Sequence, residues 1–127
     1  MNEKIDVFKD EDSQRPIPFV WRHTFCEIVE AFKDGDFRIS RGVVGVRNVS
    51  EQDAARMAKN IKDYGAHLIS LPEEAWETSA CQWMRSYWDV LIDLFTAEEG
   101  ASDLALAVRV FEDGAAYSFE IQSLYVP

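Results

Sequence analysis

His23 and Cys26, three residues apart, are the first pair in this sequence whose types suggest chemistry. A cysteine becomes a nucleophile when a neighbouring base or positive charge lowers its pKa. On a helix the two would touch, but His23 falls almost opposite Trp21 and points outward, with no third group to orient it. Cys26 then reads as a small residue flanking the core. Cys81 and His67 form a second pair only if the fold brings them together. Two cysteines and two histidines scattered in this way lack the spacing of a zinc site. The chain carries no Walker loop, dinucleotide fingerprint, zinc-protease helix or nucleophile elbow. On this reading no catalytic residue, metal or cofactor is expected, and the protein is not an enzyme.

Carboxylates are the stronger signal. Asp89 and Asp93 share a surface whether residues 87–95 form a strand or a helix, because both i,i+2 and i,i+4 positions stay on one side. In a strand, Leu91 and Phe95 share that side. Glu120 joins it across the sheet, and Glu98, Glu99 and Asp103 crowd the connecting loop. The set Asp89, Leu91, Asp93, Phe95, Glu98, Glu99, Asp103 and Glu120 reads as a partner-binding patch, with Leu91 and Phe95 as apolar anchors in a charged surround. The competing reading is a solvated sheet face. A divalent ion on Asp89 and Asp93 would lack the usual loop of alternating oxygen ligands. Arg38-Ile39-Ser40-Arg41-Gly42 is either a basic turn for a phosphate or acidic segment, or a plain solvated turn. Trp76, Trp83, Tyr87 and Trp88 either line a ligand pocket or pack in the core.

Which elements hold these residues follows from periodicity. Trp21, Phe25, Ile28, Val29 and Phe32 make one helical stripe after Pro18, stopped by Asp34-Gly35-Asp36. Residues 37–49 suit a strand or an extended loop. Ser50 and Asp53 resemble a capping box opening a helix with Ala54, Met57, Ala58 and Ile61 inward and Gly65 at its end. Residues 66–71 predict a short strand ended by Pro72, residues 73–86 fit a turn of helix, a strand or both, and 87–95 favour a strand. Asp113-Gly114 predicts a two-residue hairpin loop. With those two as the loop, Val110 faces Tyr117, Val108 faces Phe119, Leu106 faces Ile121, and Arg109 stands opposite Ser118. The sum is an α+β fold, two helices packed on an antiparallel sheet with a C-terminal β-meander. Residues 1–16, with five acids, read as an acidic flexible leader before a single domain over 17–127.

With 127 residues, 47% of them apolar and sixteen aromatic, the chain has material for one packed core. No apolar run approaches the ~18–20 residues of a membrane span. The N-terminal Met1-Asn2-Glu3-Lys4 lacks the apolar stretch of a signal peptide, so the cytoplasm is the expected compartment. The net charge of −10 argues against binding nucleic acid, whose affinity rests on neutralising phosphates. It favours basic partners instead. Charge is also uneven, since residues 37–62 carry a net +4 and residues 86–127 a net −7.

The stretch Trp88-Asp89-Val90-Leu91-Ile92-Asp93-Leu94-Phe95-Thr96, followed by Glu98-Glu99-Gly100 and Ser102-Asp103-Leu104, resembles a family of short, uncharacterised bacterial domains. Their segment reads W-x-V-x-x-D-L-W-T-x-E-E-G-x-S-D-L, with Phe95 here in place of the second Trp. The likeness spans about Pro18 to Val126. It brings no catalytic residues with it. In general character such domains are similar to the immunity proteins of bacterial toxin systems: small, acidic, cytoplasmic and single-domain. The resemblance therefore implies an immunity or antitoxin type of protein that neutralises a basic protein partner by occlusion. The alternatives are a small enzyme or ligand-binding domain using Trp76, Trp83, Trp88 and a cysteine, or a self-assembling structural module.

Overall fold

A computed structural model, which describes residues 7–127, has the order α1 (Phe19–Lys33), α2 (Glu51–Tyr64), α3 (Ala75–Thr78), β1 (Ala80–Trp83), β2 (Trp88–Thr96), β3 (Gly100–Asp113) and β4 (Ala116–Tyr125). The four strands pair antiparallel in chain order, so the whole sheet is one meander. This is an α+β fold. The region 73–86 resolves into both of its possibilities, one helical turn and then a strand.

Each helix shows why its residues chose that state. All five residues of the α1 stripe are buried. Trp21 meets Trp88 edge-on at 5.2 Å and Phe25 meets Phe119 at 5.5 Å, which ties α1 to one face of the sheet. At α2, Ser50 Oγ accepts the backbone N–H of Asp53 at 3.1 Å, and Gly65 closes the helix at φ +82°. Helix and sheet residues share one core, with Val90, Ile92, Leu106, Val108, Val110 and Leu124 from the strands. Ile39 joins it although its φ is +58°, where a β-branched residue is strained. Strain of about 1–3 kcal/mol is offset by full burial of the side chain, worth about 1.5–3 kcal/mol.

The hairpin corrects the expected pairing. Asp113 pairs with Ala116, so the loop is Gly114-Ala115. Gly114 takes positive φ while Ala115 does not, the pattern of a type II′ turn with glycine first. Val110 thus faces Phe119, Val108 faces Ile121 and Arg109 faces Glu120. The slip is two residues, so the side chains from Val108 to Ile121 keep their expected faces. Leu106 pairs with Leu124 because a bulge after Ala107 takes up one more residue of β4.

One further segment differs from expectation. Residues 66–71 are not a strand of the sheet: only Leu68 bridges to Thr96, flanked by bonds from Ile69 N to Phe95 O and from Ala97 N to His67 O. The described part of the expected flexible leader, residues 7–16, is docked. Arg15 and Cys81 exchange two backbone bonds of 2.8 Å, Trp88 Nε1 donates to Phe8 O, and Gln82 Nε2 donates to Glu11 O. Residues 1–6 of that leader lie outside the described residues. The far edge of the sheet is closed similarly, by Gly45–Arg47 lying parallel to Phe119. No helix among the described residues is long and apolar enough to cross a membrane.

Candidate functional site

The expected acidic patch divides into two places, with one of its anchors removed. Asp89, Leu91 and Asp93 alternate with the core residues of β2 and stand on the face of the sheet turned away from the core. Register extends that face sideways. Gln82, Asp89, Arg109 and Glu120 form one row across all four strands, and Ala80, Leu91, Ala107 and Ser123 form the next. A third row has Asp93, Ala105 and Tyr125. Because alanines occupy two of the four places in the middle row, it is a trough between taller neighbours. Together with Gln122, Thr78 and Gln14 it encloses a groove of about 520 Å³.

Charge on this open face is largely balanced from within. Arg109 pairs with Asp89 at 3.7 Å and seats its guanidinium 4.6 Å from the Tyr87 ring. Arg47, brought in by the loop along β4, binds Glu120 at 2.7 Å and Ser118 Oγ at 3.1 Å. Asp93 is different. Its carboxylate has no hydrogen bond or ion pair among the described residues, although its backbone N–H donates to Ser79 Oγ.

Glu98, Glu99 and Asp103 stand elsewhere, at the β2–β3 turn, clamped to the end of α2. Glu98 accepts from His67 N at 2.8 Å and lies 2.6 Å from His67 Nδ1. The ring contact, then the backbone donor, holds its carboxyl down at about 2. Tyr64 Oη donates to Glu99 and accepts from Asp103 N, and the bond to Glu99 raises the phenol pKa. Two of these three carboxylates are therefore already engaged in tying the turn to the helix.

Phe95 is corrected as an anchor. The ladder slips between Asp93 and Phe95, where Ser102 Oγ donates to Leu94 O, and Phe95 is only 7% exposed. It presents no surface to a partner.

The remaining candidates also find their places. Cys81 is 4% exposed with its thiol near Pro16 O, and burial pushes its pKa up to about 11. Burial likewise raises Cys26. Neither thiol is activated, His67 is engaged with Glu98, and the exposed His23 lies beside Glu27. Asp89 and Asp93 are four residues apart on an extended strand, roughly 13 Å, too far to share an ion. In the basic turn, Arg41 binds Asp34 and Asp36, and Arg38 reaches Val49 O. The aromatic group separates: Trp76 and Trp88 are buried, while Tyr87 meets the Phe111 ring at a tilt, 5.5 Å away, on the open side. Trp83 and Trp88 line an apolar cleft of about 380 Å³ with Cys81, Pro16, Phe8 and Phe19, the last two 73% and 83% exposed.

Sequence reasoning missed Arg47, Tyr125 and the alanine floor. The alternation of Ala105 and Ala107 in β3 was a visible signal for the floor. Nothing in the sequence places Arg47 beside residues some seventy positions away.

Fold and site together define a small acidic α+β domain whose four-stranded meander packs on one face and presents a grooved polar surface on the other. The chain belongs to the family described as Domain of unknown function (DUF7668), which matches residues 29–127. No curated protein and no solved structure matches it.

Proposed function

We propose that the protein is a small bacterial, cytoplasmic binding protein of immunity or antitoxin type, which neutralises a basic protein partner by covering it with the open face of the sheet. The observation that carries this reading is the groove over Leu91 and Ala107, with Asp93, which has no partner among the described residues, in the next row along β2. Apolar floor with polar rim is the composition of docking surfaces. The chain's net charge of −10 adds long-range attraction for a basic partner, acting mainly on association rate. The test is affinity capture of the tagged protein from native bacterial lysate, run in parallel with Leu91→Glu and Asp93→Lys. The expected result is one stoichiometric basic protein, released by a salt step and lost from both variants. The same protein retained by folded variants removes the open face from the reading.

The apolar cleft beside Trp83 favours a second reading, a site for a small uncharged ligand. Its lining ions, Asp10 and Arg15, are paired at 3.0 Å and its thiol is protonated, which suits binding rather than thiol chemistry. Saturable quenching of tryptophan fluorescence by N-phenyl-1-naphthylamine, abolished in Phe19→Ser, is the expected outcome; unsaturable quenching ends this reading.

A further inference from the structure

We infer that the groove on the open face takes a short segment of a partner protein with one apolar side chain and one Lys or Arg whose heads lie roughly 7 Å apart. This deepens the docking reading above and rests on it.

The spacing comes from the sheet itself. The floor row Ala80, Leu91, Ala107 and Ser123 and the row Asp93, Ala105 and Tyr125 are two residues apart along the strands. An apolar side chain fits the floor, where Leu91 is flanked by two alanines and nothing is charged. The cation is assigned by complementarity. Within these rows Asp89 is matched by Arg109 and Glu120 by Arg47, which leaves Asp93 as their carboxylate without a partner among the described residues. Across Ala105 from Asp93 stands Tyr125, a half-buried ring against which a guanidinium can lie flat. An anionic side chain would meet Asp93 with no cation to offset it. A wholly apolar segment would bury that carboxylate unpaired, a change that costs more than the contact returns.

In an extended segment, side chains at i and i+2 stand on one side at the same rise as the two rows. The recognised pattern is therefore an apolar residue and a basic residue separated by one position.

Selection of random dodecapeptides displayed on phage, with counter-selection on Leu91→Glu, tests this without presupposing a partner. Both the protein and this variant are checked for fold by near-ultraviolet circular dichroism. The expected result is enrichment of peptides with apolar-x-basic spacing. Their dissociation constant should rise about fivefold in Asp93→Asn, the loss of one partly exposed charged contact. Backbone amide shifts should concentrate at Leu91, Asp93 and Ala107. Enriched peptides without a basic residue, peptides indifferent to Asp93→Asn, or no enrichment that depends on the groove would each overturn the inference. Failure of the docking reading looks different: a captured basic protein that tolerates both groove variants overturns docking at this face, whatever the peptides do. Loss of the captured partner in those variants, with no apolar-x-basic peptide, overturns only the pattern.

Discussion

Trp83, Trp88, Val110 and Phe119 line up across four strands on one face of the sheet, and Gln82, Asp89, Arg109 and Glu120, each one residue away, line up on the other. The backbone is the same for both rows, and only the pleat separates them. Yet the first row is an apolar band closed by Trp21, Trp83 and Trp88 in ring contact, whereas the second is polar, with alternating charges at Asp89, Arg109 and Glu120, half open to solvent. The lesson is that register, once set by the core row, positions the polar row without further cost. The open face is thus free to be written for recognition.

The sharpest way to break this comparison is to truncate the same strand on its two sides. Trp88→Ala should lose about 3–5 kcal/mol in urea unfolding, since it empties the centre of the aromatic group and orphans the carbonyl of Phe8. Asp89→Ala, next to it, should stay within about 0.5 kcal/mol, because its ion pair is long and exposed. Comparable losses in the two variants would mean that the open row also holds the fold.

A smaller effect is expected where the core row ends. Gly45 has φ +80°, and a Cβ there would stand 3.0 Å from Tyr117 O. Gly45→Ala should lower stability by about 1–3 kcal/mol in thermal unfolding, because the strand-edge bridge to Phe119 must shift or strain. An unchanged melting temperature would show that this edge is not tied to the core.

The least effect on folding belongs to the turn. Glu98 titrates at about 2 rather than near 4.5, chiefly through the His67 ring contact and then its backbone N–H. A depressed carboxyl stabilises the fold above its ordinary pKa, and the contribution fades as pH falls from about 4.5 towards 2. In His67→Ala the Glu98 carboxyl should move up towards its ordinary value, read by carbon-detected NMR titration. An unmoved carboxyl would assign the depression to the main chain alone.

Much of the fold was legible, for physical reasons that differ by element. The stripe of α1, the Ser50 cap and the Gly65 stop are local signals that tertiary packing had no cause to override. The faces of β3 and of residues 117–121 in β4 were readable from alternation even though the turn was displaced, since a two-residue slip conserves parity, whereas the bulge beyond Ile121 turns Leu124 inward and Tyr125 outward. Residues 66–71 were misread because a strand-like composition does not guarantee a partner of matching length. The site was readable only in part. Asp89, Leu91 and Asp93 on one face followed from period two, but Phe95 did not, since a bulge is invisible to alternation. Whether a carboxylate is free depends on where distant arginines arrive, and Arg47 reaches Glu120 through tertiary structure alone.

Arg15 and Val46, each a single bridge residue on an outer strand, carry a consequence beyond the shape of the sheet. A β-sheet is a template that can be copied at its margins, one chain after another, and these two short segments act as end stops to that growth. Their hold is a handful of backbone bonds, weaker than the meander they guard. Loss of residues 7–16 would remove the stop beside Cys81 together with the Phe8 carbonyl that Trp88 Nε1 reaches. The bare edge of β1 would then offer its unpaired backbone groups to an incoming strand.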